Sequence, residues 1–303
     1  MTPLFGEPMD EQAARWRDAL LETIRPAVAS KLPLLLSAGL DSGTILAACL
    51  DLGHHPHCYS YVLNWPVEEG GELSRDYVFS RRLTTRFHCD FTGIWIPRNL
   101  DQLESDVREV IGILRVSRKT SVQCCQPLMH IARQLQKDRE TRVLAGTGGI
   151  VLDGREVMVT RAEEGEEAAR KLRAEKLRDR DNEETATGQM HRMARHFGVD
   201  LVEPYSEEPL ESVGLSIDLG DMNRGPKGMG AKGIAVRAFP KFWEQPGVYR
   251  RPSPLQVNGG VREWHEELLT SPLNPNRAER VVAVYNRILK ELNEPHLLDP
   301  AGP

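Results

Sequence analysis

A chain of 303 residues with 44 acidic and 39 basic side chains has a net charge of -5, which gives no overall attraction to nucleic acid and leaves small molecules as the expected substrates. Its length can bury one large core or two modest ones without covalent staples. The five cysteines (Cys49, Cys58, Cys89, Cys124 and Cys125) make no CxxC pair and no zinc spacing, and no apolar run is long enough to span a bilayer, so a soluble protein of the reducing cytoplasm is expected.

Ala14, Trp16, Ala19, Leu20 and Ile24 fall on helical spacing and predict an opening helix over residues 11–30. Residues 34–36 are an apolar run that reads as a buried strand. It breaks into Ser37-Ala38-Gly39-Leu40-Asp41-Ser42-Gly43, and the apolar stretch from Thr44 predicts a helix directly after the loop. Strands are predicted at 57–63 and 91–96, with a helix over 74–87 between them, capped by Ser74 and carrying Asp76 in its first turn. Helices at 100–114 and 126–136 and a strand at 142–145 follow. This alternation predicts an α/β fold with a doubly wound, mostly parallel sheet and ligands beyond the carboxyl ends of the strands.

Residues 161–184 are dense in Arg, Lys, Glu and Asp, with Glu166/Arg170 and Glu167/Lys171 at i,i+4 spacing, and read as a solvated helix. The remainder, to about residue 292, reads as largely helical with Gly- and Pro-rich interruptions at 225–233 and 246–260. The organisation expected is an N-terminal helix (1–30), a nucleotide-binding core (31–160), a helical part (161–292) and a poorly ordered tail (293–303). His54, His55 and His57 lack nearby Cys or Asp partners and read as loop residues rather than metal ligands.

Four segments carry chemistry. In the first loop, Ser37, Ala38, Gly39 and Gly43 are small enough for a phosphate to approach the backbone at a helix N-terminus. Asp41 can hold Mg²⁺ and Ser42 can donate a hydrogen bond; a Walker-type loop would need a lysine after its last glycine, and none is present. A second Gly-rich turn, Ala145-Gly146-Thr147-Gly148-Gly149-Ile150, follows the strand at 142–145, with Asp153 three residues beyond. The third segment is Phe197-Gly198-Val199-Asp200-Leu201-Val202-Glu203-Pro204-Tyr205, and the fourth is Gly230-Ala231-Lys232-Gly233-Ile234-Ala235-Val236-Arg237-Ala238-Phe239.

The first loop resembles the PP-loop of the ATP pyrophosphatases, Ser-Gly-Gly-x-Asp-Ser, with Ala38 at a usual glycine. All four segments, in this order, are similar to the synthetase domain of the asparagine synthetase and beta-lactam synthetase family. The resemblance implies an ATP-dependent, AMP-forming ligase that adenylates a carboxylate or carbonyl oxygen and lets an amine or ammonia displace AMP. It implies Mg·ATP bound by Leu36, Ser37, Gly39, Asp41, Ser42, Tyr61 and Gly146. Lys232 matches the catalytic lysine and Arg237 the arginine of the Lys-x-x-Leu-Arg motif; Lys227 is a second lysine candidate, and Arg250-Arg251 resembles the arginine-rich strip that follows.

Besides Ala38, further positions depart from the pattern. The family's second Mg²⁺ aspartate falls on Ile150, which offers no oxygen, so Asp153 is the expected substitute beside Asp41. Its proton-accepting pair falls on Thr147 and Asp200, with Asp200 as the base and Thr147 orienting the nucleophile. Its arginine falls on Val202. The stretch before residue 34 is too short for a glutaminase domain, and none is expected; a separate amidotransferase chain or a second copy of the chain is compatible as partner. Two alternatives stay open: a nucleobase- or tRNA-modifying PP-loop enzyme, and a non-catalytic nucleotide- or partner-binding protein.

Overall fold

The computed structural model describes residues 10–64, 74–147, 155–177, 182–225, 232–249, 260–271, 273–274 and 280–293. Helix α1 (Glu11–Ala29) is capped by Asp10, whose carboxylate accepts the Ala13 amide at 2.9 Å, and its apolar stripe buries Trp16, Leu20 and Ile24. Strand β1 (Leu34–Leu35) leads to α2 (Leu40–Asp51), β2 (Cys58–Asn64), α3 (Arg75–Arg86) and β3 (Phe91–Pro97). Next come α4 (Leu100–Leu114), α5 (Lys119–Lys137), β4 (Arg142–Leu144), α6 (Arg155–Glu164), α7 (Glu166–Leu177), α8 (Ala186–His196) and β5 (Asp200–Val202). The short helices α9 (Leu210–Ser216), α10 (Leu219–Asn223), α11 (Gly233–Ala238) and α12 (Pro240–Trp243) follow, then helices Val261–Glu266 and Val281–Asn293.

The five strands form one parallel sheet in the order β3-β2-β1-β4-β5. Alternate residues along each strand enter opposite layers. Leu34, Cys58 and Leu144 join α1, α2 and α11 in one core; Tyr59, Tyr61, Leu63 and Val143 join α4, α5 and α8 in the other. The α/β doubly wound expectation therefore holds, and the largely helical C-terminal part also supplies the fifth strand, which pairs with β4 through Leu144 and Val202. No described helix is long and apolar enough to cross a membrane. The tail expected at 293–303 lies, apart from Asn293, outside the described residues.

Two local expectations are corrected. Helix α5 begins at Lys119, ahead of the expected residue 126, and contains Pro127. A proline inside a helix removes one backbone hydrogen bond, but Val122, Cys125, Leu128 and Met129 bury on one face of α5, and that packing outweighs the lost bond. The charged stretch after 161 is not simply solvated: it forms α6 and α7, and Arg173 is fully buried. Its guanidinium donates to the carbonyls of Ile217 (3.1 Å) and Gly214 (2.5 Å) at the end of α9. Burial pulls its pKa down to about 10, so it is still charged at neutral pH. Arg173→Ala strands both carbonyls and is expected to cost about 2–3 kcal/mol in urea unfolding, against under about 0.5 kcal/mol for the half-exposed Arg170→Ala.

A second buried ion-forming group sets an acid limit. His265 lies between Trp264 and Tyr285, its Nδ1 hydrogen-bonded to the Tyr285 hydroxyl, and burial drives its pKa from 6.5 down to about 3. The unfolded chain therefore binds a proton that the folded chain does not between these two values, and stability falls as pH drops through that window by up to about 1.4 kcal/mol per pH unit. His265→Gln is expected to flatten the slope of unfolding free energy against pH between 6 and 4 by about one proton. An unchanged slope would contradict this account.

Candidate active site

Strand β1 has neighbours on both sides whose chain connections run in opposite directions, so the loops after β1 and β4 part at the carboxyl ends of the strands and leave a crevice. The loop after β1 is held by its own side chains. The Ser37 amide donates to Ser42 Oγ at 3.1 Å, the Gly39 amide to Ser37 Oγ at 3.1 Å, and the two serine hydroxyls lie 3.0 Å apart. Ser42 therefore frames the loop rather than presenting a spare donor. The Ala38 amide donates to Asp76 Oδ1 at 3.1 Å. This corrects the expected cap of α3: Ser74 makes no capping bond, and Asp76 in the first turn reaches across to brace the loop.

With those amides engaged, the outward donors are those of the first turn of α2, at Leu40, Asp41 and Ser42, which helix geometry leaves without intrahelical acceptors. The N-cap is Gly39, which has no side chain to cover them. The positive end of α2 thus faces the crevice. Across from it stands Gly146, where an added Cβ would lie 2.9 Å from the Ser42 amide nitrogen and 3.2 Å from Asp41 Cβ. Only glycine lets the two loops approach this closely. Tyr205, from the third segment, donates its hydroxyl to the Asp41 carbonyl at 2.8 Å and fixes the same turn from behind.

Lys232 is the N-cap of α11 and adopts a left-handed backbone, φ 61°, with its amide donated to Asn223 Oδ1 at 2.9 Å. The next residue, Gly233, lies against the Arg224 carbonyl, where a Cβ would meet the oxygen at 2.0 Å. This geometry aims the lysine at Asp41, and its Nζ sits 2.7 and 3.0 Å from the two carboxylate oxygens. Both side chains stay partly exposed, at 18% and 22%.

These groups border a cavity of about 480 Å³. Its polar side comprises Ser37, Gly39, Asp41, Asp76, Gly146 and Lys232, and its apolar side Leu36, Tyr59, Tyr61, Leu128, Ile131 and Met190. Tyr61 is buried in the wall with no hydrogen-bond partner for its hydroxyl; burial, reinforced by the nearby charge of Asp76, pushes its pKa well up, so it stays a neutral donor. Thr147 also lines the cavity, with its hydroxyl buried and unpaired.

Every nucleotide-binding residue expected from the sequence thus borders one cavity, together with Lys232 and Thr147. Asp200 does not. It opens β5, in register with Arg142 at the amino end of β4, and is 65% exposed beside Arg195 at 3.6 Å. The strand carries it to the end of the sheet opposite the cavity. The carboxylate at the carboxyl end of β5 is Glu203, 1% exposed and 3.1 Å from Nε2 of the buried His191 on α8. Its sequence signal is a lone acid between an apolar strand and Pro204. Arg237 also turns away: it bonds to Asp10 and to the carbonyls of Arg224 and Asp221. Asp153, Ile150, Lys227 and Arg250-Arg251 lie outside the described residues.

The three histidines before β2 are engaged in the fold: His54 with the Leu32 carbonyl, His55 with the Phe87 carbonyl and His57 with Thr92 Oγ1. Among the described residues, no group of three or more His, Cys, Asp or Glu could hold a metal ion. No family model matches the chain, and no curated protein matches it.

Proposed function

We propose that this cavity binds Mg·ATP and that the chain is an AMP-forming ligase. The observation that carries the reading is the uncapped N-terminus of α2 facing a glycine across a cavity that is also lined by Asp41, Asp76 and Lys232. Amides of a helix first turn with no capping side chain are a phosphate seat, and the added Cβ that Gly146 excludes would fill it. The apolar wall of Leu36, Tyr59 and Tyr61 suits a purine ring, and the unpaired Tyr61 hydroxyl is a donor awaiting an acceptor.

In this reading Asp41 would hold Mg²⁺, whose contribution when bound is to screen the charge of the pyrophosphate. Lys232, whose ammonium lies against both Asp41 oxygens, would supply positive charge to the phosphate oxygens. A substrate carboxylate attacks the α-phosphorus, the bond to pyrophosphate breaks, and an amine then displaces AMP from the acyl carbon. Charge builds on phosphate oxygens in both steps, and the fixed amides and the ammonium stabilise it without reorganisation. Asp200 takes no part, since it lies at the other end of β5; Glu203 is the carboxylate at the right end.

The test is exchange of labelled pyrophosphate into ATP with Mg²⁺ and a panel of carboxylic acids. At least one acid is expected to support exchange, and Asp41→Ala to remove it. ATP binding without exchange for any acid would make the chain a nucleotide-binding protein rather than a ligase. Weak ATP binding that Asp41→Ala leaves unchanged would end both readings.

A further inference from the structure

Resting on the reading of Lys232 as the cation that serves the phosphates, we infer that Asp10 is its positioning residue, acting through Arg237 from the start of α1. Lys232 does not hold its own aim. Its backbone is left-handed, φ 61°, which a residue with a Cβ disfavours, and α11 behind it has only six residues, too few for a helix to stand on its own hydrogen bonds. The surroundings must fix it. At the end of α10, Asn223 Oδ1 accepts the Lys232 amide at 2.9 Å. From the last turn of α11, Arg237 is 6% exposed and donates to the carbonyls of Arg224, at 2.8 Å, and of Asp221. The Arg224 carbonyl is also the oxygen against which Gly233 packs, so both ends of α11 close on one atom.

Asp10 completes the clamp. Its Oδ1 caps α1 through the Ala13 amide, while its Oδ2 accepts from both Arg237 and Arg224. One carboxylate thus joins α1, the end of α10 and α11. Burial opposes its ionisation, but the Ala13 amide and the two guanidinium groups outweigh that and hold its pKa below the usual carboxylate range. A helix cap needs one oxygen, which a serine or threonine would supply; the second oxygen, shared by two arginines, is what capping leaves unexplained. Releasing it frees α10 and α11 to shift against α1, and a displacement on the order of 1 Å in a catalytic group can cost about a hundredfold in rate.

The experiment reads the position of the amine and the reaction separately. Asp10→Asn keeps an oxygen for the Ala13 amide and removes the charge that holds the arginines. Acetylation of the full chain by sulfosuccinimidyl acetate, followed by mass spectrometry, is expected to modify Lys232 at least about threefold faster in this variant than in wild type, with the exposed Lys137 as unchanged reference. In pyrophosphate exchange the same variant is expected to lose about ten- to a hundredfold in kcat while KM for Mg·ATP stays within about threefold. Tyr285→Phe removes a partner of His265 in the other core and is the control for lost stability alone, expected to move neither readout. Unchanged acetylation of Lys232, or faster acetylation with kcat unaltered, would overturn the inference and leave the Mg·ATP reading standing. Faster acetylation in a chain whose wild type exchanges pyrophosphate with no acid would sink the ligase reading while Asp10 still fixes Lys232. Should Asp10→Asn not fold, Arg224→Ala decides, since that half-exposed side chain leaves no buried charge behind. It is expected to speed Lys232 acetylation by at least about twofold, and no change would overturn the inference.

Discussion

Lys232→Met is expected to slow pyrophosphate exchange by about two to three orders of magnitude while leaving the affinity for Mg·ATP within a few-fold, the signature of a group that acts on developing charge. The structural basis is the placement of the Lys232 ammonium, on a left-handed N-cap, against the first turn of α2. The Lys232–Asp41 pair is partly exposed, so its loss removes no more than about 1 kcal/mol of stability. A melting temperature close to wild type alongside a collapsed exchange rate would separate chemistry from folding. Lys232→Arg is likewise expected to keep binding but little of the rate, because a planar guanidinium does not reproduce the compact point charge of an ammonium. An exchange rate unaffected by Lys232→Met would remove the lysine from the mechanism.

Gly146→Ala is expected to weaken nucleotide binding by at least about tenfold and to cost about 1–3 kcal/mol of stability, because the new methyl group meets the Ser42 amide and the Asp41 backbone. The clash distances, 2.9 Å to Ser42 N and 3.2 Å to Asp41 C, leave neither loop room to give without moving the turn that Tyr205 holds. Gly112→Ala is the matched control. It sits in α4, where an added Cβ finds only Leu292 Cδ1 at 3.9 Å, and it is expected to leave binding alone and to raise stability by up to about 1 kcal/mol. Isothermal titration with α,β-methylene-ATP and urea unfolding of the same three proteins read both effects. A Gly146→Ala protein that binds nucleotide like wild type would show that the two loops do not grip the ligand between them.

The sheet and the loop after β1 were legible because they depend on local pattern. An apolar run of strand length, a break into small residues and an apolar helix leave few other folds for residues 34–50, and the bounds expected for α4 match the structure. What went astray depends on where charged side chains point, which no periodicity reports. Asp76 reads as a first-turn acid because acids favour that position; only the packing of α3 beside the loop turns it toward Ala38. Arg173 sits in a run that looks solvated, and its burial depends on the carbonyls of Gly214 and Ile217, some forty residues away. Asp200 lies away from the cavity for a geometric reason. β5 has only three residues, and an acid at its start and an acid just past its end lie at opposite ends of the strand, so motif spacing alone cannot choose between Asp200 and Glu203.

In the proposed function the N-terminus of α2 seats the phosphates of ATP with a metal on Asp41. Anomalous diffraction from crystals grown with Mn²⁺ and α,β-methylene-ATP tests it most directly. A manganese peak at coordination distance from Asp41, phosphorus density over the amides of Leu40 to Ser42, and Lys232 moved from the carboxylate to the phosphates are expected. Nucleotide bound outside the cavity, or a fully occupied nucleotide with the Lys232–Asp41 pair intact and no metal on Asp41, would contradict it.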